Sequence, residues 1–140
     1  MKVKSITPNL LVSSVKESVE FYTEILGFKY VMGVDDNKEL YLKHDKNQEL
    51  GFAIVQNEIN QIMFQEISNT NADLDLDLSI DKKITNAIIY IEIDGFDDFY
   101  EEIKDKTEIV NEPRHTFYGM KEFYIRDNSG NIVGFAERLV

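Results

Sequence analysis

The sequence contains no cysteine. That absence removes disulfides, thiolate nucleophiles and every zinc site built on sulfur, so any chemistry must come from oxygen and nitrogen groups. Histidine is nearly missing as well, with only His44 and His115 present. Basic residues are scarce: 15 Lys and Arg stand against 26 Asp and Glu, for a formal charge of -11. Such a balance repels a phosphate backbone and leaves no basic stripe to neutralise one, which excludes nucleic acid as the expected partner. An acidic cleft would instead concentrate a cationic small molecule, although the same acidity also serves solubility alone. No apolar run approaches the roughly 20 residues that a membrane-spanning helix needs, and the opening MKVKSITPN has no apolar stretch of the secretory kind. The expectation is a cytoplasmic protein with no membrane partner.

What is present suffices for one core. A chain of 140 residues, 43% of them hydrophobic, can build one domain or two small modules that share a core. Ser5 to Val12 reads as a strand, and Ser14 with Glu17 three places on has the form of a capping box. Val15, Val19, Tyr22 and Leu26 follow at helical spacing, with Ile25 widening the stripe, and Gly27 stands where a left-handed cap ends a helix. Further on, Ala87 to Ile93 is an Ile-rich strand, Asp94 is placed to cap, and Phe96, Phe99, Tyr100 and Ile103 repeat the amphipathic spacing. A shift of about 81 positions lays one strand-helix pair on the other.

Both halves also close alike. Leu50 to Gln56 and Gln61 to Ile67 flank the turn Asn57-Glu58-Ile59-Asn60, while Glu122 to Arg126 and Asn131 to Glu137 flank Asp127-Asn128-Ser129-Gly130. With Phe28 to Val34 and Glu108 to Asn111 supplying one more strand each, a β-α-β-β-β unit is written twice, an α+β pattern. Module one is expected over 1–67, a linker over 68–84 and module two over 85–140, all within a single domain. Asp35 to Glu49 reads as a long hairpin connection in which Leu40-Tyr41-Leu42 offers an extra strand. Between the modules, the alternation Asp73-Leu74-Asp75-Leu76-Asp77-Leu78 also allows an edge strand, a lid, or an arm on a second subunit.

With the duplication in view, Pro8 to Val15 running into Phe21-Tyr22-Thr23-Glu24-Ile25-Leu26-Gly27-Phe28 resembles the opening of the glyoxalase, bleomycin-resistance and extradiol-dioxygenase (vicinal oxygen chelate) superfamily. Phe117-Tyr118-Gly119 through Phe123, then Asp127 to Glu137, resembles its closing hairpin, and Phe64-Gln65-Glu66 the close of its first module. The resemblance implies tandem modules forming a half-open barrel around a ligand cavity, with helices outside. It also implies a homodimer, in which modules pair within one chain or are exchanged between chains. In metal-dependent members four positions converge on one divalent ion; by this resemblance they fall on Thr7, Phe64, Ile88 and Gly134. A hydroxyl, a phenyl ring, an alkyl group and a bare backbone offer such an ion no adequate ligand set, so a member with neither metal nor cofactor is expected. Neither histidine lies on an aligned ligand strand, and both are read as surface or loop residues.

Strand alternation divides the first strand into Pro8, Leu10 and Val12 against Thr7, Asn9 and Leu11, and the fifth into Ile89, Ile91 and Ile93 against Ile88, Tyr90 and Glu92. The mixed faces are expected to line the cavity. The candidate ligand-binding residues are therefore Asn9, Leu11, Phe64, Tyr90, Glu92, Tyr118 and Phe123, with Ile132 beside them and Arg114, His115, Phe117 and Tyr118 at the rim. Glu92 is the one catalytic candidate: buried, it would serve as a general base or pair with a ligand cation; exposed, it is a salt-bridged residue near a strand end. Two functions follow. One is a binding protein that sequesters a cationic or aromatic compound in the manner of bleomycin-resistance proteins, an antibiotic-resistance role. The other is a glyoxalase-type lyase or isomerase, or a dioxygenase-related enzyme, whose family relatives polarise substrate oxygens through a metal.

Overall fold

The computed structural model describes residues 1–79 and 87–140. The expected start of module two at 85 and the end of the acidic connection lie outside the described residues. The chain forms two compact units, Met1–Ile80 and Asp81–Val140, each built on one mixed sheet in an α+β arrangement. Among the described residues no helix is long and apolar enough to cross a membrane.

In the first unit, β1 (Asn9–Val12) leads into α1 (Val15–Glu20). The helix begins where extended Ser14 accepts a hydrogen bond on its side chain from the Glu17 backbone N–H at 3.2 Å. After Glu20 the winding loosens into a π-helical turn, Phe21–Ile25, and Gly27 at φ 80° reverses the chain, a conformation that costs glycine nothing. The helical stripe buries Val15, Val19 and Tyr22 against the sheet. Tyr22 meets Phe28 and Phe64 at ring distances of 5.8 and 4.8 Å.

The sheet continues through β2 (Lys29–Val34), β3 (Leu40–Tyr41), β4 (Phe52–Asn57) and β5 (Asn60–Glu66), in spatial order β1-β5-β4-β2-β3. Only β1 and β5 run parallel; the other pairings are antiparallel.

Part of the expected linker is helical. α2 (Ile67–Leu74) follows β5 directly because the Glu66 carboxylate acts as its cap, accepting from the backbone N–H groups of Ser68 and Asn69 at 3.1 and 3.0 Å. The helix ends at Asp75 in a left-handed conformation, and the Asn71 side chain both donates to and accepts from the Leu78 backbone at 2.9 Å. A local cap thus starts a helix in the first part of the expected linker, and the alternation of Asp and Leu past Leu74 is neither helix nor strand up to residue 79. Glu66→Ala is expected to cost about 1 kcal/mol, seen as a lower urea midpoint with a small loss of helical circular dichroism.

The second unit runs β6 (Ile88–Glu92), α3 (Phe96–Ile103), β7 (Glu108–His115), β8 (Met120–Arg126) and β9 (Ile132–Arg138), with sheet order β6-β9-β8-β7. Asp94 does not cap α3: Gly95, at φ 72°, occupies the capping position without a side-chain hydrogen bond. The β8–β9 turn is held by Asp127, whose carboxylate accepts from the N–H groups of Ser129 and Asn131, both at 2.9 Å. Phe96 and Ile103 are buried on the sheet beside Phe123, Ile125, Val133 and Phe135.

Register decides which residues share a face. Leu10 and Ala53 both lie opposite Phe64, and Phe123 lies opposite Phe135. Phe64 and Phe123 are fully buried against their own units' helices, which corrects their assignment to a ligand cavity. The physical reason is period two: a strand that sends its largest ring to the helix sends both sequence neighbours to the other side.

Candidate functional site

In the second unit that other side carries the polar residues. Tyr90 and Tyr124 lie on either side of Gly134, and Ala136 and Arg114 on either side of Glu122. Glu122 has no solvent exposure. A buried carboxylate is tolerated only when its oxygens are satisfied, and here the satisfaction comes from phenols. Tyr90 donates its hydroxyl to Glu122 Oε2 at 2.5 Å, and Tyr118 donates to both oxygens at 2.7 and 2.8 Å. Tyr124 makes a longer contact at 3.4 Å, and Arg114 Nη2 stands 3.5 Å from Oε1.

Burial works to raise the Glu122 pKa, but the hydroxyl donors and the Arg114 charge outweigh it and hold the group below the usual glutamate value. Burial and the neighbouring carboxylate push the Tyr90 phenol up. The same carboxylate, first through its hydrogen bond, raises Tyr118. The site is therefore an anion wrapped in neutral phenols near neutral pH.

Turn geometry brings Tyr118 to this carboxylate. It sits in the β7–β8 hairpin, where the Thr116 N–H donates to the Met120 carbonyl at 2.8 Å and Gly119 adopts φ 81°. Its ring remains half-exposed, as does that of Tyr90, at 51% and 48%. Phe117, wholly exposed at the tip, meets the Tyr118 ring edge to face at 5.0 Å.

Of the residues expected at a site, Tyr90 and Tyr118 are thus brought together, with Arg114 from the expected rim. Glu92 is not buried: it is exposed and pairs with Arg138 Nε at 3.1 Å, the surface alternative for that residue. Asn9 and Leu11 belong to the first unit, where Asn9 donates to Gln65 at 3.0 Å and Gln65 donates in turn to Asn69 at 2.9 Å. His44 stacks on Tyr30 with ring centroids 5.1 Å apart, and His115 is exposed at the end of β7 rather than in a loop.

The central residue of the cluster, Glu122, was not among the expected ones. The signal for it lay in Glu122-Phe123-Tyr124-Ile125: once Phe123 and Ile125 are given to the core, Glu122 and Tyr124 must share the opposite face.

The model of the Glyoxalase/Bleomycin resistance protein/Dioxygenase superfamily matches residues 3–135. The chain belongs to this superfamily. Its fold is similar to that of a protein of unknown function from Agrobacterium tumefaciens, at TM-score 0.75 and 17% identity over 99% of this chain and 97% of that one. It is similar also to the bleomycin-binding protein of bleomycin-producing Streptomyces verticillus, solved with copper(II)-bleomycin, at TM-score 0.63 and 19% identity over 96% of each chain. A glyoxalase-related enzyme from Fulvimarina pelagi matches at TM-score 0.70 and 12% identity, over 97% of this chain and 89% of that one. At these identities the likeness is one of fold. No curated protein matches the sequence.

The superfamily's metal can be tested against the residues present. Phe64 faces the helix-side core, opposite Leu10 and Ala53; strand neighbours Met63 and Gln65 hold the other side, opposite Asn9 and Leu11. Ile88 is exposed, and Thr7 contributes a single hydroxyl. At Gly134 a side chain has no room, because an added Cβ would stand 2.8 and 3.0 Å from Tyr124 Cδ1 and Cζ. Among the described residues no group of three or more His, Asp or Glu is placed to hold a metal ion. These residues do not fit a divalent ion.

The same crowding yields a prediction. Gly134→Ala is expected to displace the Tyr124 ring from its seat and cost about 1 kcal/mol, near the low end for overpacking because Tyr124 is only partly buried and its ring can move. Chemical denaturation of the two proteins checks it; an unchanged midpoint would contradict the seating of Tyr124 on the glycine backbone.

Proposed function

We propose that the protein is a small-molecule-binding member of the superfamily that sequesters a cationic or aromatic compound at the Tyr90 and Tyr118 side of the β6-β9-β8-β7 sheet, without a metal. One observation carries this reading: a fully buried carboxylate, Glu122, is roofed by two tyrosines whose rings stay half in solvent. Two half-exposed aromatic rings above an anion suit a flat or positively charged ligand. The acidity of the chain, -11 overall, adds attraction at longer range. The similar bleomycin-binding protein, solved with copper(II)-bleomycin, supports the class of ligand. Resemblance to the superfamily also supports a homodimer, for which sedimentation at twice the chain mass is the expected result.

The alternative, a glyoxalase-like lyase or isomerase or a dioxygenase-related enzyme, would need a ligand set that Thr7, Phe64, Ile88 and Gly134 do not supply. Nor does Glu122 suit a general base, because its proton affinity is lowered by the donors around it.

The test is a thermal melt against copper(II)-bleomycin and a panel of cationic aromatic compounds. At least one is expected to raise the midpoint in proportion to the logarithm of its concentration, and the rise should disappear in Tyr118→Ala. If none stabilises the protein, or if the variant responds as the wild type does, the reading fails.

A further inference from the structure

The protons around Glu122 can be assigned from chemistry alone. An ionised carboxylate has no proton to give, so each phenol hydrogen-bonded to it must be the donor. Each hydroxyl has one hydrogen, and for Tyr90 and Tyr118 that hydrogen points inward at 2.5 to 2.8 Å. Toward solvent these two hydroxyls have only oxygen lone pairs, and the rings beneath them have the negative faces of their π systems. The Thr116 hydroxyl donates to the Met120 carbonyl at 3.1 Å and also lies within hydrogen-bonding reach of the Tyr118 oxygen, which leaves that oxygen one lone pair for a ligand. Among the described residues, Arg114 faces this carboxylate from the next strand; its side chain is 55% exposed and its 3.5 Å contact is the sort of partner that water or a ligand readily replaces.

We infer that the Glu122 site selects ligands whose positive charge carries N–H donors, that is ammonium, amidinium or guanidinium groups, and discriminates against both carboxylates and quaternary ammonium ions. This rests on the proposed binding role of the same face and narrows its ligand class. A carboxylate brings acceptors to a surface of acceptors and leaves them unpaired, which costs more than a hydrogen bond gains. A quaternary ammonium ion keeps its attraction to the rings but makes no hydrogen bond to the phenol oxygens. Only a cation with N–H groups uses the ring faces and the lone pairs together.

Three probes of one size separate these cases: benzamidinium, benzyltrimethylammonium and benzoate, each titrated into the purified protein with the amide spectrum followed by NMR. Benzamidinium is expected to bind about tenfold more tightly than either of the others, the factor that one to two hydrogen bonds provide. Tyr118→Phe keeps the ring and removes one outward oxygen, so it should weaken benzamidinium about fivefold while leaving benzyltrimethylammonium unchanged. Glu122→Gln turns one acceptor into a donor and frees a phenol hydrogen to point outward, so it should bring benzoate to within about threefold of benzamidinium.

Equal or tighter binding of benzoate or of the quaternary ion to the wild type would overturn the inference and leave the binding role standing. No binding by any of the three would overturn both. Should Glu122→Gln fail to fold, the Tyr118→Phe comparison decides alone, and an equal loss for both cations in that variant goes against the inference.

Discussion

Replacing Phe123 by alanine is expected to destabilise the protein by about 4 kcal/mol, lowering the thermal midpoint by roughly 10 °C. The ring is fully buried on β8 and is the hub of an aromatic cluster, with Phe96, Tyr100 and Phe135 at centroid distances of 5.2, 5.0 and 5.3 Å. Truncation removes the transfer free energy of a phenyl group and leaves a cavity walled by other rings, which cannot easily collapse. Were Phe123 instead part of a ligand-binding wall, its loss would spare stability and weaken binding. Denaturant unfolding of the variant separates the two, since a loss below about 1.5 kcal/mol would fall outside the range for emptying a core of this kind.

The second large effect is expected from Glu122→Ala. Its removal deprives Tyr90 and Tyr118 of an acceptor and Arg114 of its carboxylate. Breaking a buried charged network commonly costs 3 to 5 kcal/mol, but here the donors are half-exposed and can turn to water, so about 2 kcal/mol is expected. The sign with pH follows from linkage. Glu122 has a lowered pKa in the fold, so its contribution is complete above the ordinary glutamate pKa and is lost as pH falls through the folded value. Tyr90 and Tyr118 have raised pKa values, so their contribution is complete below the ordinary tyrosine pKa and is lost as pH rises through the folded values. Stability should therefore fall at both acid and alkaline extremes. In Glu122→Ala the wild-type advantage should shrink on acidification below about pH 4. A difference between the two proteins that does not change between neutral pH and pH 3 would show that the fold does not lower the pKa of this carboxyl, and one that grows would show that the fold holds it neutral.

Much of the architecture was legible before any coordinates. The capping Ser14, the stripe Val15-Val19-Tyr22 and the stop at Gly27 mark a helix because each acts through its own backbone or through neighbours one turn away. The two hairpins were legible for the same reason, since turn residues and alternation are local. Helix α2 was not, because the stretch from Ser68 reads as a linker while the deciding group, the Glu66 carboxylate, belongs to the end of the preceding strand. The site was half legible. Tyr90 and Tyr118 were expected, but Glu92 was the carboxylate singled out and Glu122 was not named, and Phe64 and Phe123 were placed on the wrong side of their strands.

The sequence by itself determined the α+β duplication, the superfamily and the absence of thiol chemistry. These depend on residue identity and on spacing along the chain. Only the tertiary structure decided that the carboxylate under the tyrosines is Glu122. Alternation sorts a strand into two faces without saying which one meets a helix, and that choice is made by packing against residues far away in sequence. Once Phe123 took its place among the rings around α3, Glu122 on the opposite face of β8 met the phenols of β6 and of the β7–β8 hairpin.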